Sequence, residues 1–308
     1  MPSARDPERP RGGRGVLIAR RLLLAAGGAL ALASPLLATA LAAGADRGSP
    51  PRKIIAIAPS AAEILFALGE GDRVIAVPDL AMDLPGAAGK VRIGGFTPDL
   101  ERIVALAPDL VVASRDGTDR AAFERVRALG FRVVVTGGRT LDGIFDDIRT
   151  VGAALGIDRR ADELVASLRQ RLGRARERIA QSAQRRPMPS VLILIWPDPP
   201  VVAGPTSYLG DLLRQAGLRN AADDAGEWPR VSFETLARWD PGLIVRPKTR
   251  ENADAFRQAF QANSLWRLVP AARDGRVVSI PGNWLERPGP RLIDALEALT
   301  DRIGSSSP

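Results

Sequence analysis

Two stretches of the chain repeat one pattern: TPDLERIVALAPDLVVAS at residues 97–114 and VSFETLARWDPGLIVRP at residues 231–247. Each copy has a glutamate near the start of a short helical segment, then a proline, then an apolar run. Glu101 and Glu234 occupy the same place in the repeat, 133 residues apart. Because proline ends a helix and a short apolar run is typical of a buried strand, each copy predicts a helix–strand unit. A unit repeated a domain's length apart indicates two lobes of like topology.

Strands alternate with short helices around both copies, and this alternation predicts parallel sheets covered on both faces. The alternation covers residues 52–140, the N-terminal lobe, and resumes over 187–303, the C-terminal lobe. Residues 141–186 show only helical periodicity and end in a long amphipathic helix. The sequence therefore predicts an α/β fold of two lobes, each a mostly parallel sheet flanked by helices, joined by one long interdomain helix. Residues 304–308 are expected to form a disordered tail.

The first helix of each lobe carries an acidic residue at a matching position. Ser60 and Glu63 have the spacing of a capping box, in which both side chains bond to the first turn of their own helix. Asp211 occupies the place of Glu63 in the corresponding helix of the second lobe.

The first 45 residues have the layout of an export signal. A basic segment ends in Arg20 and Arg21, an apolar segment follows over 22–42, and small residues allow cleavage after it. The arginine pair resembles a twin-arginine signal without its usual flanking residues, so this route and the general secretory route stay open. An uncleaved membrane anchor is the alternative, since the apolar segment is just long enough to span a bilayer. The leader predicts a periplasmic protein.

Composition excludes several classes of site and partner. The chain has no cysteine and no histidine, which removes thiolate nucleophiles, disulfides and the commonest metal ligand and general base. We therefore expect no metal site in the protein. The net charge is +8, and half of it belongs to the leader. The remaining excess gives little support to a nucleic-acid partner. The arginines of the long helix predict a solvated face.

Catalytic motifs are absent from the sequence. Asp146 with Asp147 and Asp223 with Asp224 are carboxylate pairs, but adjacent residues do not face one another. Neither a nucleophile elbow nor a phosphate-binding loop is present. We expect no catalytic residues; an exported enzyme based on carboxylates is the alternative of another class.

Ligands of open α/β sheets bind beyond the carboxyl ends of the strands. The residues that follow the predicted strands, or lie in the loops before the repeated glutamates, are aromatic, proline-rich and in part basic. Aromatic faces on rigid loops suit a large, flat ligand, whereas core packing is the alternative for each tryptophan and loop ion pairs are the alternative for each arginine. The predicted ligand-binding residues are Pro59, Ser60, Phe96, Arg115, Trp196, Trp228, Arg246, Asn283 and Trp284.

Three motifs resemble the periplasmic binding proteins of cobalamin, siderophore and haem ABC importers: IIAIAPSAAEILFALGEGDRVIAV, DLERIVALAPDLVVAS and NWLERPGPRLIDALEAL. The resemblance extends over about residues 53–303. It implies a class III receptor, whose lobes are joined by a rigid helix, that delivers a metal chelate to a dimeric permease in the inner membrane. The receptor itself is expected to be a monomer without a resident cofactor.

Within that family the motifs most resemble the cobalamin-binding member. The resemblance implies that Trp196, Trp228 and Trp284 line a corrin cleft, and the chain has Phe96 near the place of a further cleft tryptophan. It also implies that Glu101 and Glu234 dock on arginines of the permease. Favourable interaction with the helix macrodipole is the alternative role of these two glutamates.

Other chelates remain open as ligands. A ferric siderophore needs no metal ligand from the protein, and its negative charge could meet Arg115, Arg230 or Arg246. A haem site would need Tyr208, the only tyrosine, as an iron ligand.

Overall fold

The computed structural model describes residues 50–116, 118–249 and 253–305, which belong to one compact unit. The predicted export signal and the last three residues lie outside the described residues. No helix among the described residues is long and apolar enough to cross a membrane.

The N-terminal lobe is built on five parallel strands in the order β3-β2-β1-β4-β5. Its helices cover the sheet and its central strands are buried. The elements are β1 (Ile54–Ala56), α1 (Pro59–Ala67), β2 (Val74–Val77), β3 (Val91–Arg92), α2 (Leu100–Leu106), β4 (Leu110–Ser114), α3 (Arg120–Ala128) and β5 (Val133–Thr136).

Two helices connect the lobes. They are α4 (Leu141–Leu155) and α5 (Asp158–Ala183), and α5 is the long helix that the sequence predicts. Its buried residues, among them Leu168 and Ile179, follow the predicted apolar stripe.

The arginines of α5 lie on an exposed face, as the sequence predicts, except that Arg171 is half-buried. Arg171 binds Asp294 and Glu297, and Arg169 binds Asp142. These ion pairs attach the long helix to α4 and to the last helix of the C-terminal lobe. The sequence pattern places arginines beside the apolar stripe but does not show which acidic residues lie opposite.

The described residues of the C-terminal lobe form four strands in the order β7-β6-β8-β9, and among them only β7 is antiparallel to its neighbour. Its elements are β6 (Val191–Pro197), β7 (Pro200–Val202), α6 (Tyr208–Ala216), α7 (Phe233–Trp239), β8 (Leu243–Lys248), α8 (Ala253–Ala262), α9 (Pro270–Arg273), β9 (Val277–Pro281), α10 (Gly282–Leu285) and α11 (Leu292–Ser305). Helix α11 extends two residues into the segment predicted to be disordered, and buried Ile303 fixes its last turn.

The sequence repeat is also a repeat of the backbone. Helices α2 and α7 each have seven residues and begin after a side chain, Asp99 or Ser232, that accepts a hydrogen bond from the first turn. Each helix ends at a left-handed residue, Ala107 with φ 45° and Asp240 with φ 42°. A proline follows, and the chain enters β4 or β8. The two lobes therefore have like topology around the repeated unit, as the sequence predicts.

Candidate functional site

A cavity of about 390 Å³ lies between the lobes, beyond the carboxyl ends of several strands. Both lobes and the loop before α4 contribute to its lining. We call this cavity the cleft. It is lined by Pro59, Ser60, Pro78, Leu80, Gly95, Phe96, Asp116, Arg139, Tyr208, Glu227, Trp228, Glu286, Arg287 and Pro288.

Aromatic and apolar side chains on the two lobes give the cleft its apolar character. Phe96 and Leu80 are 61% and 67% exposed, and both line the cleft. Trp228 is 38% exposed and meets the edge of Tyr208, with ring centroids 5.3 Å apart. Together these side chains offer apolar surface from both sides to a bound molecule.

Rigid backbone positions the lining. Pro59 and Ser60 follow β1 after two intervening residues and begin the first turn of α1. On the other lobe, Pro288 belongs to the segment between α10 and α11. Since proline has a fixed φ, these parts of the lining lose little conformational freedom when a ligand binds.

The two arginines of the lining are already paired with carboxylates. Arg139 binds Glu227, and Arg287 binds Asp83 and donates to the carbonyl oxygen of Leu80. Three acidic residues of the lining face these two basic residues, so the lining carries no excess of positive charge.

Tyr208 is fixed beneath Trp228. Its hydroxyl group donates to the carbonyl oxygen of Leu285 at 2.8 Å, and the side chain is buried. Burial raises the pKa of Tyr208 strongly, and nearby Glu286 and Asp116 raise it further. The phenol is therefore held in its protonated form.

A second cavity of about 680 Å³ adjoins the cleft and shares Leu80, Glu286 and Arg287 with it. At this border Asn283 donates to Asp83, so that residues of the two lobes meet. Partial burial raises the pKa of Asp83, but hydrogen bonds from Arg287 and Asn283 outweigh it and the pKa is lowered.

The structure distributes the nine predicted ligand-binding residues among several places. Four of them line the cleft: Pro59, Ser60, Phe96 and Trp228. Asn283 lines the adjoining cavity.

The other four predicted residues lie outside the cleft lining. Arg115 lines a separate pocket beside α3. Trp196 lines a shallow pocket against α8, and its indole N–H donates to the carbonyl oxygen of Asp198. Arg246 lies over the ring of Phe256 at 4.9 Å. Trp284 is half-buried against the main hydrophobic core. For Trp284 this is the core contact recognised from the sequence as its alternative.

Several lining residues were missed by the sequence reasoning. Leu80 lies in a single turn of 3₁₀ helix, and Asp116, Arg139 and Glu227 lie in loops. No periodic pattern in such segments marks a side chain that faces a cavity. Arg287 lies in a Pro-Gly-Pro segment that was used only as a family signature.

Glu101 and Glu234 are exposed in the first turns of α2 and α7, outside the cleft lining. A hydrogen bond from Ser232 lowers the pKa of Glu234, so this carboxylate is charged at neutral pH. Among the described residues no cluster of three or more acidic side chains could hold a metal ion.

The sequence profile of the family described as "Periplasmic binding protein" matches residues 54–283. The chain belongs to this family. Its two-lobed α/β fold and its interlobe cleft agree with that membership, and the relatives below are named as binding proteins rather than enzymes.

Three relatives place the chain within the periplasmic binding proteins. The uncharacterized ABC transporter substrate-binding lipoprotein YvrC of Bacillus subtilis is 29% identical, over 82% of this chain and 80% of its own. The structure of a periplasmic heme binding protein from Pseudomonas aeruginosa is 28% identical with a TM-score of 0.75, over 84% of this chain and 94% of its own. The structure of the vitamin B12 binding protein BtuF of Vibrio cholerae is 26% identical with a TM-score of 0.68, over 84% of this chain and 99% of its own. Proteins named for two different chelates thus share this fold.

Proposed function

We propose that the protein is the solute receptor of an ABC importer and that its cleft binds a corrinoid such as cobalamin. The observation that carries this proposal is the character of the lining. It combines exposed aromatic and apolar side chains with arginines that are already neutralised by carboxylates.

The charge of the lining favours a neutral or weakly cationic ligand. A ligand carboxylate that binds Arg139 or Arg287 would lie close to the carboxylate, Glu227 or Asp83, with which that arginine already pairs. Two carboxylates so close together repel each other, and the repulsion grows as a bound ligand displaces water from the cleft. Cobalamin has a periphery of uncharged amides, which donate and accept hydrogen bonds without this cost.

The shape of the lining favours a flat macrocycle with apolar faces. Phe96 and Leu80 on one lobe and Trp228 on the other present apolar surface towards the cleft. Aromatic faces contribute both buried area and directional ring contacts. The adjoining cavity leaves room for a ligand larger than the cleft itself.

Haem fits this lining less well. Its propionates would need free cations, and Tyr208, the only tyrosine, uses its hydroxyl to bind the carbonyl oxygen of Leu285. Because burial and neighbouring carboxylates raise its pKa, Tyr208 is a poor source of the phenolate that iron prefers. An anionic ferric siderophore meets the same charge problem, since Arg115 and Arg246 lie outside the lining.

We further propose that Glu101 and Glu234 dock the receptor on its permease. The repeat gives each lobe one exposed glutamate at the start of equivalent helices. A permease of two like subunits presents two like surfaces, and charges at a rim steer the encounter and set orientation. The leader at residues 1–45 would direct the chain to the periplasm before this encounter.

Calorimetric titration with a panel of chelates tests the ligand. The panel contains cyanocobalamin, haem, a neutral ferric hydroxamate and an anionic ferric catecholate, each titrated into the purified protein at neutral pH. We expect saturable binding of cyanocobalamin and much weaker binding of haem and the catecholate. If haem or the catecholate binds more tightly than cyanocobalamin, the charge argument is wrong. If the neutral hydroxamate binds more tightly than cyanocobalamin, the ligand is a ferric hydroxamate and not a corrinoid.

A further inference from the structure

Glu63 of α1 is buried and bonds to the other lobe. Only 3% of the residue is exposed, and its carboxylate accepts hydrogen bonds from the backbone N–H of Arg291 at 2.9 Å and from the Arg291 guanidinium at 3.2 Å. Arg291 directly precedes α11, a helix of the C-terminal lobe. The capping box predicted for Glu63 does not form: α1 begins after Ala58 without a side-chain cap, and the carboxylate faces another helix.

Backbone shape allows this close approach. A Cβ atom placed on Gly289 would lie 2.5 Å from Oε1 of Glu63, a distance that real contacts do not allow. Glycine at this position therefore lets the segment before α11 lie directly against the carboxylate.

Asp211 of α6 makes the reciprocal contact. It is 4% exposed, and one carboxylate oxygen accepts from the backbone N–H of Leu141, the first residue of α4, at 2.8 Å. The same carboxylate also binds Gln215 at 2.9 Å and pairs with Arg214. Helix α4 packs on the sheet and first helix of the N-terminal lobe.

The two contacts form one pattern used twice. In each, a buried carboxylate from the first helix of one lobe bonds to the N-terminal end of a helix that packs in the other lobe. Free backbone N–H groups and the helix dipole both favour a negative charge there. Glu63 and Asp211 are the matching residues of the sequence repeat, so the contacts are related by the same pseudosymmetry as the lobes.

We propose that Glu63 and Asp211 are positioning residues that together fix the separation of the two lobes and keep the cleft open to the width of its ligand. A single contact allows rotation of one lobe about it, whereas two contacts on different helices oppose that rotation. Movement of a lobe by more than about 1 Å breaks the hydrogen bonds and leaves buried carboxylates without partners, which is strongly unfavourable. The inference concerns the width of the cleft and does not depend on which chelate fills it.

Distances between spin labels test this inference. The chain has no cysteine, so Arg125→Cys on α3 and Gln261→Cys on α8 give one exposed label on each lobe. Pulsed dipolar spectroscopy then gives the distribution of interlobe distances without ligand. We expect a narrow distribution in the labelled parent, a broader one in Glu63→Ala and in Asp211→Ala, and the broadest in the double variant.

Asp109→Ala provides the matched control. The Asp109 carboxylate also accepts hydrogen bonds from backbone N–H groups, those of Arg52 and Lys53 at 2.7 and 2.8 Å, but within one lobe. The Asp109→Ala variant should have a lower free energy of unfolding than the parent, but its distribution of interlobe distances should be as narrow. Equal broadening in this control, or a distribution in the folded double variant as narrow as in the parent, would overturn the proposal.

Ligand affinity gives a second readout that a general loss of stability would not change. If only about a tenth of the variant molecules keep the parent's lobe separation, their apparent affinity should fall about tenfold, because binding must first select that fraction. Saturating ligand should return the distribution to the parent's width. An affinity unchanged despite a broadened distribution would contradict the positioning role.

If the alanine variants do not fold, Glu63→Gln and Asp211→Asn replace them. Each of these variants keeps one acceptor oxygen and should broaden the distribution of interlobe distances to an intermediate extent. Distributions as narrow as the parent's in both variants would count against the proposal. Cyanocobalamin is the probe for affinity. If the parent does not bind it, the proposed ligand is wrong, while the distances without ligand still decide the role of the two carboxylates.

Discussion

Replacing Trp228 by alanine should weaken the binding of cyanocobalamin about fivefold to thirtyfold, by about 1–2 kcal/mol. The estimate follows from the exposure of the side chain. Trp228 is 38% exposed in the cleft, which for a tryptophan is roughly 95 Å². If a ligand covers between half of this area and nearly all of it, the lost transfer free energy is about 1–2 kcal/mol at 25 cal/mol per Å².

Trp196→Ala is the matched control for this measurement. Trp196 is 44% exposed and has a similar apolar area, but it lines a separate pocket against α8. Titration calorimetry of both variants and the parent measures the two losses directly, and circular dichroism checks that each variant is folded. Parent-like affinity in Trp228→Ala would refute the assignment of the cleft. A larger loss in Trp196→Ala would instead indicate that the ligand contacts Trp196, as the family resemblance implies.

Changing both Glu101 and Glu234 to arginine should leave ligand affinity near normal but abolish uptake. Docking on the permease should weaken most clearly at low salt, because exposed charges act over about 10 Å at 0.1 M ionic strength. Loss of ligand affinity with docking retained would assign the glutamates to the cleft. Gly289→Ala should lower the free energy of unfolding by about 1–3 kcal/mol, since the added Cβ would overlap the buried carboxylate of Glu63. Gly173→Ala on α5 has open space around its Cβ and should not lower it. Equal denaturant midpoints for the two variants would contradict this prediction. Hydrogen bonds lower the pKa of Asp83 below its ordinary value of 3.8. The contribution of Asp83 to the free energy of unfolding should therefore be complete above pH 3.8 and disappear as the pH falls through the lowered pKa. If the difference in unfolding free energy between the parent and Asp83→Asn does not change over that pH range, the interlobe bonds are not supported.

The fold could be predicted because its signals are local. The proline after each repeated helix, the short apolar strands and the period of α5 each depend on a few neighbouring residues. The structure has these elements, and even the cap residues Asp99 and Ser232 repeat as the sequence does. Like topology in the two lobes follows from finding the same local pattern twice.

The site could be predicted only in part because its contacts are not local. Ser60 follows a strand and reaches the cleft, as the rule for open sheets predicts, and Phe96 reaches it from the loop before the repeated glutamate. Glu63 has the spacing of a capping box, yet its carboxylate bonds to Arg291, 228 residues away. Trp196 was predicted to follow a strand, but it lies within β6 and lines a pocket against α8, and no sequence pattern shows which helix covers the end of a strand.

A crystal structure of the protein with bound cyanocobalamin tests the central claim most directly. The account predicts that the corrin ring lies between the lobes, with Phe96 and Leu80 on one side and Trp228 on the other, and that the Arg139–Glu227 and Arg287–Asp83 pairs stay intact. A cleft without ligand at saturating cobalamin, a corrin bound in the pocket of Trp196, or arginines released from their carboxylates to hold the ligand would contradict it.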